Sequence, residues 1–339
     1  MSKTSSYTRV SAFMANAKPS PPTVGRVRSM GSLEFTSWPT LPRVPLRLAI
    51  SGSRGLIGAA LIEQLQDSEV LRLVRHKPTS PAEAPLLPPD PAALEGLDAV
   101  VHLAGEPVAT GRWTKAKRQA IYSSRVDTTR ALAKALAQLR DPPRTFIVAS
   151  GAHYYGHQGD AELTEDSGLG SGFFPEVVRD WEAAADPARA AGIRTVHLRI
   201  GIVLSPRAGA LAAMLPAFRL GFGVVIGRGD QWWPWIGLPD TVAAIRHVLN
   251  TPELRGPVNL TSPQPVTSRE FAATLARVLD RGLFARAPGW ALRAAMGEKA
   301  DGVLMSTRVL PAKLRRSGFQ FSEPALEQAL RASMDRPAR

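Results

Sequence analysis

Three glycines, Gly52, Gly55 and Gly58, follow a short apolar segment, Leu46-Arg-Leu-Ala-Ile50, and open an apolar-periodic stretch that runs to about Gln66. A strand that enters a glycine turn and continues as a helix is the first unit of a nucleotide-binding βαβ fold. The spacing here is G-x-x-G-x-x-G. The first glycine permits the tight turn, the second lets backbone come close to a pyrophosphate, and the third lets helix pack on strand. The helix N-terminus then offers unpaired N–H groups and the positive end of its dipole to phosphate. Gly52, Ser53, Arg54, Gly55, Leu56, Ile57 and Gly58 are therefore the candidate phosphate cradle.

The rest of the chain extends the same rhythm. Val70–Val74, Ala99–Leu103, Phe146–Ala149 and Thr195–Leu198 read as strands, with helices over Lys115–Leu139 and Glu176–Ala191. Strands alternating with helices give an α/β fold, a Rossmann-type doubly wound parallel sheet covered on both faces. The Pro-rich stretch 79–98 reads as loop. Past residue 205 helices dominate: Ala208–Leu220, Asp240–Asn250, Ser268–Leu279, Gly289–Met296 and Glu323–Ala332. A smaller, mostly helical C-terminal lobe follows, with a substrate cleft between the lobes.

Composition narrows the class. With 44% apolar and 21% charged residues over 339 positions, global disorder is excluded. No apolar run approaches the roughly 20 residues of a membrane span. Cysteine is absent, which removes disulfides, thiolate metal sites and a cysteine nucleophile, and fits a reducing compartment. No His/Asp/Glu cluster has ligand spacing, so no metal is expected. Residues 1–45 form a Ser-, Thr- and Pro-rich basic tail, either disordered or an organelle-targeting segment. The location read from this is cytoplasmic, or an organelle stroma or matrix if the tail is a transit peptide.

The net charge of +13 raises nucleic acid as a partner, but its distribution does not. Residues 1–33 hold five Lys/Arg and no acid, and residues 281–339 hold eleven Lys/Arg against five acids, so the two ends carry +11. No basic stripe with interleaved aromatics is present, as a single-strand binder needs. The expected partner is a small-molecule substrate, with neither nucleic acid nor a membrane.

The second strand should end beside the adenosine ribose of a dinucleotide. An acidic residue there binds the 2′-hydroxyl and selects NAD. The chain instead reads Arg72-Leu-Val-Arg75-His76-Lys77. A guanidinium at Arg75 suits a 2′-phosphate, so NADP is expected in preference to NAD.

From residue 46 to about 330 the chain resembles the extended short-chain dehydrogenase/reductase superfamily, in its atypical epimerase-like branch. The residues that carry this are Ser51–Gly58, with Ser53-Arg54 in place of the usual Gly-Thr, and His102-Leu-Ala-Gly-Glu-Pro107. Further ones are Arg112-Trp-Thr114, Ser124-Arg-Val126, Thr128, Leu198–Leu204 and Gln231–Ile236 with Asp240, where Gly237 replaces a usual His. Gly297-Glu298, Arg308–Pro311 and Ser317-Gly-Phe319 resemble the small C-terminal domain of unknown function that ends such proteins. The implied layout is an NAD(P)-binding epimerase-like domain over 46–285 and a small helical domain over 286–335. The implied cofactor contacts are the glycine loop, Arg75, Leu103, Ala104, Arg125 and Val203.

The resemblance also implies a catalytic Tyr-x-x-x-Lys on the helix after the fourth strand, with a serine at that strand's end. Ser150 fits the serine. With Glu182 as the anchor, the tyrosine position falls on Phe174 and the lysine position on Val178, and no Tyr-x-x-x-Lys occurs anywhere in the chain. Phenylalanine transfers no proton and valine carries no charge. Candidate substitutes are Ser150, Tyr154 and Tyr155, a tyrosine beside an arginine being able to act as an acid with lowered pKa. His153, Glu176, Arg179 and Asp180 lie close in sequence. Trp232, Trp233 and Trp235 either wall a pocket or pack a core. The reading is an NADP-binding oxidoreductase- or epimerase-like protein of unknown substrate, with a non-catalytic NADPH sensor or scaffold as the alternative.

Overall fold

Strands that are apolar on both faces need cover on both sides, and this chain supplies helices for each. The computed structural model describes residues 45–108, 111 and 113–335; the tail assigned to 1–45 lies almost wholly outside them, as does Arg112. Seven strands form one parallel sheet: β1 (Arg47–Ser51), β2 (Glu69–Val74), β3 (Glu83–Pro85), β4 (Ala99–His102), β5 (Thr145–Gly151), β6 (Arg194–Ile200) and β7 (Gly256–Leu260). Their spatial order is β7-β6-β5-β4-β1-β2-β3. The chain runs outward from β1 in both directions, so the order reverses between β1 and β4. In an open α/β sheet, that switch point leaves a crevice at the carboxyl ends of the strands.

Side chains alternate between two cores. Leu48, Ile50, Val101, Ile147 and Val196 face one side, against Leu61 of α1 (Leu56–Glu63). Ala49, Val100, Phe146 and Val148 face the other, against Leu132, Leu136 and Trp181. The period-2 geometry of a strand produces this division.

Two strands depart from the sequence reading. β3 lies inside the Pro-rich stretch read as loop, and β7, Gly-Pro-Val-Asn-Leu, carries no strand alternation. Each lies at an edge of the sheet, where pairing to β2 or β6 supplies the strand conformation that local propensity does not. The helix read over Lys115–Leu139 is two, α2 (Lys115–Ser123) and α3 (Val126–Ala137), broken at Ser124-Arg125. The one read over Glu176–Ala191 begins earlier and also divides, into α4 (Phe173–Ala183) and a short helix over Asp186–Ala190.

The C-terminal lobe has its own core, built around Leu215, Phe218, Trp233, Trp235, Phe271 and Leu330. One buried charge fastens it to the sheet, and a second ties it together. Arg194 on β6 donates to the carbonyls of Val248, Thr251 and Leu254, around the C-terminus of α5 (Leu238–Asn250). A cation there meets the negative end of the helix dipole. Asp240 at the start of α5 accepts the backbone N–H groups of Ser322 and Glu323 at 2.8 and 3.0 Å, tying down the C-terminal segment.

Candidate functional site

The glycine loop sits at the switch point. Gly52 has φ +71°, and a Cβ there would lie 2.8 Å from the Leu103 carbonyl carbon, so only glycine lets β1 and β4 approach. A Cβ at Gly58 would run into the Gly52 carbonyl oxygen, so this glycine seats α1 on the loop. Gly55 differs. Its φ is −76°, and the single neighbour of an added Cβ is the Gly52 oxygen at 3.1 Å. It is the exposed N-cap of α1, with no side-chain cap and no acid in the first turn. That helix terminus keeps its orphan N–H groups for an external anion.

A buried clamp holds the two strand ends beneath it. Ser51 Oγ lies 2.6 Å from His102 Nδ1 and accepts the N–H groups of Leu103 and Ala104, both at 3.1 Å. With two donors already on its oxygen, the hydroxyl gives its own proton to Nδ1, which leaves the imidazole hydrogen on Nε2. That Nε2 is buried and finds no partner. Burial pushes the His102 pKa down to about 4, so the ring is neutral at physiological pH.

Arg75 follows β2 and is exposed, as is Arg54. Arg54 lies 3.7 Å from Glu83, which β3 brings to this corner. The Thr79 backbone and hydroxyl, followed by the charges of His76 and Arg54, hold the Glu83 carboxyl below the usual range. Glu106 receives Lys117 Nζ at 2.6 Å, and its pKa is lowered by that bond and by the charges of Lys117, Arg75 and Arg125. Arg125 occupies the break between α2 and α3, where Nη1 donates to the Ile121 carbonyl and the guanidinium lies 5.1 Å from the Trp181 ring. A Cβ at Gly105 would be 3.3 Å from its Cζ, so Arg125 lies against the loop that continues from Leu103 and Ala104. Burial lowers its pKa to about 10 and leaves it cationic at neutral pH. Val203 pairs with Ile236 in a short strand just past β6, half-buried.

Spacing gives no sign of the network at the end of β5. Ser150 Oγ donates to Glu182 at 2.7 Å, and Arg199 grips the same carboxylate through Nε at 2.8 Å and Nη2 at 2.9 Å. Arg199 Nη1 reaches the Tyr155 hydroxyl, which donates to Asn259 at 2.7 Å. The guanidinium also stacks 3.4 Å from the Tyr154 ring. Its pKa is raised: burial works against the charge, and the Glu182 carboxylate outweighs it. For Tyr155 the shift runs opposite to the lowered pKa expected of it. The residue is fully buried, and burial pushes its phenol up to about 12 despite the nearby arginine. Its hydroxyl is held between Arg199 and Asn259.

Phe174 and Val178, where the resemblance would put the tyrosine and lysine, are both packed. Phe174 stacks on His153 at 5.0 Å and meets Trp113 at 5.2 Å. The Gly302 backbone closes over it, since a Cβ at Gly302 would be 2.9 Å from Phe174 Cζ. The C-terminal lobe thus reaches Phe174, and elsewhere its Glu298 pairs with Arg118 of α2 at 2.7 Å. Val178 is buried against Gly151. Of the three tryptophans, Trp233 and Trp235 belong to the C-terminal core, while half-buried Trp232 donates to Asp160. A Cβ at Gly237, the position where the resemblance leads one to expect histidine, would press on the Glu323 carboxylate.

A doubly wound parallel sheet with a glycine cradle at its switch point defines a nucleotide-binding Rossmann-type protein. Residues 48–260 match the model of the NAD dependent epimerase/dehydratase family, and residues 287–333 match a domain of unknown function. The chain belongs to the NAD-dependent epimerase/dehydratase family. It is 41% identical over 297 residues to an epimerase family protein of Mycobacterium bovis, covering 86% of this chain and 98% of that one. It is 35% identical to the human epimerase family protein SDR39U1 over 293 residues, covering 84% of this chain and 99% of the human one. The crystal structure of human SDR39U1 (isoform 2) with NADPH superposes with a TM-score of 0.78 at 34% identity, covering 86% of this chain and all of that one.

Proposed function

We propose that this protein binds NADP at the glycine cradle and works on a small carbonyl or hydroxyl compound as an oxidoreductase- or epimerase-type enzyme. The observation that carries the binding is the α1 terminus, uncapped and acid-free, behind a glycine whose missing side chain leaves room for an anion. The residues present fit the group. The loop 52–58 would hold the pyrophosphate, Arg54 and Arg75 the 2′-phosphate, and Leu103, Ala104, Arg125 and Val203 the remainder. The human relative crystallised with NADPH supports the same choice. The cofactor, when bound, supplies the hydride chemistry.

This chain's own residues then position and exclude. The Ser51–His102 clamp fixes the floor of the crevice, and the Phe174 cluster keeps water from its far end. Ser150 has its proton directed to Glu182, so its oxygen is available as an acceptor for a substrate hydroxyl. Tyr154, held by Arg199, and His153, stacked on Phe174, complete the candidate proton-handling groups at the strand end. A second reading, a non-catalytic NADPH sensor, is favoured by the two apolar side chains at the dyad positions. A cytoplasmic location belongs to the same proposal and is checked by cell fractionation. Among the described residues, no helix is long and apolar enough to cross a membrane.

Titration of the purified protein with NADPH and NADH, read by nicotinamide fluorescence, tests the binding. Arg75→Ala should weaken NADPH about 10–100-fold, the loss of one charge-assisted contact, and leave NADH nearly unchanged. Failure of the parent to bind either nucleotide overturns the proposal, and equal losses for both remove Arg75 from the 2′-phosphate. NADPH oxidation over a panel of carbonyl compounds separates enzyme from sensor.

A further inference from the structure

Four large apolar side chains crowd one end of the C-terminal lobe, far in sequence from the cofactor loop: Leu220, Phe222, Leu283 and Phe284, between 38 and 73% exposed. Single exposed apolar residues are ordinary, but a contiguous group on a soluble fold marks a surface that something covers. Here the grouping is built in. The strands Gly223–Ile226 and Leu283–Ala287 run parallel with Leu283 opposite Gly223, which brings Phe222 and Phe284 edge to face at 5.6 Å. The turn before Phe222 is pinned, since Phe222 N–H donates to the Ala217 carbonyl at 2.8 Å and Gly221 takes φ +81°. The aromatic pair is therefore presented by a braced turn.

Cations lie close to it along the chain, although Arg286 also lines a separate cavity with Asp160 and Asp230. Arg219 precedes the turn, Arg286 follows Phe284 on the same strand, and both are exposed. Arg281 is strapped across the two turns, with Nε on the Arg219 carbonyl at 3.1 Å and Nη1 on the Asp280 carbonyl at 2.9 Å. The acid on these two turns is Asp280. Beside the patch, a cavity of about 510 Å³ opens between Arg277, Arg281 and Leu283.

We propose that this end of the lobe docks on an anionic phospholipid surface, with the phenylalanines and leucines entering the interface and the arginines meeting lipid phosphate. Apolar side chains with arginines beside them are what an anionic interface rewards. A second copy of this chain is the poorer occupant: it would place the same arginines face to face in a protein of net charge +13. The lack of an apolar span excludes a membrane-crossing helix, but a surface contact requires none.

Co-sedimentation of the full chain with vesicles tests this. Vesicles of phosphatidylcholine with phosphatidylglycerol should bring the protein down, phosphatidylcholine alone should not, and added salt should release it. Phe222→Ser with Phe284→Ser should lower binding at least tenfold. Arg219→Gln with Arg286→Gln should weaken it about fivefold per charge. All four positions are exposed, and an unchanged melting temperature confirms that each variant is folded. The proposal is overturned by equal binding to both vesicle types, by no binding, or by a serine variant that binds like the parent. It is also overturned if sedimentation velocity finds a dimer that the serine variant abolishes, because the patch then belongs to a second copy.

Discussion

Removing the Glu182 carboxylate should be among the most damaging single changes to this site. Its partner Arg199 has 3% of its side chain exposed, and Glu182 itself 13%. Glu182→Leu strips two charge-assisted bonds from a buried guanidinium that keeps its proton, and leaves the Ser150 hydroxyl without its acceptor. Breaking a buried pair from one side costs about 3–5 kcal/mol. The remaining bond from Arg199 to Tyr155 and the stack on Tyr154 place the cost at the lower end, about 3 kcal/mol. At about 2–4 °C per kcal/mol for a chain of this size, the melting temperature should drop by about 6–12 °C. The assay is guanidinium unfolding followed by tryptophan fluorescence. Glu182→Leu and Arg199→Met are measured singly and together. If the pair is the main interaction, the double variant recovers about 2 kcal/mol relative to the sum of the singles. Singles that each cost under about 1 kcal/mol, with no coupling between them, would refute the reasoning.

Three further outcomes are expected. Gly55→Val should fold, because its φ is ordinary and its single close neighbour lies at 3.1 Å, yet lose nucleotide binding; Gly58→Ala should lose stability instead, because its Cβ meets the Gly52 carbonyl. Melting curves and nucleotide titration of the two variants separate these effects. Stability should fall as pH drops from about 6.5 towards 4: the His102 pKa is depressed in the fold, so the unfolded chain takes up the proton first. The loss amounts to about 3 kcal/mol, and a His102→Gln variant should show a shallower pH slope. Phe174→Tyr should destabilise the protein, since the new hydroxyl points at Gly302, and should leave NADPH oxidation unchanged while Val178 stays apolar; a gain of carbonyl reduction by this single variant would mean that the helix over Gly302 opens readily.

The glycine cradle and five of the seven central strands are legible in the chain because their determinants are local. Gly52-x-x-Gly55-x-x-Gly58 follows an apolar run directly, and runs such as Ala99-Val-Val-His102 are apolar enough to require burial on both faces whatever surrounds them. That no Tyr-x-x-x-Lys string occurs is equally local, since it is a statement about which side chains exist. Tertiary structure decides the rest. Glu83-Ala-Pro85 and Gly256–Leu260 become strands because a sheet edge is waiting for them, not because their residues favour it. Arg125 breaks a helix that no proline or glycine interrupts. Glu182, Arg199, Ser150, Tyr155 and Asn259 come from β5, the turn after it, α4, β6 and β7, so no spacing rule links them. Only the packing of α4 against the sheet brings the carboxylate to the guanidinium. That burial raises the Tyr155 phenol, because desolvation of a phenolate outweighs the neighbouring positive charge.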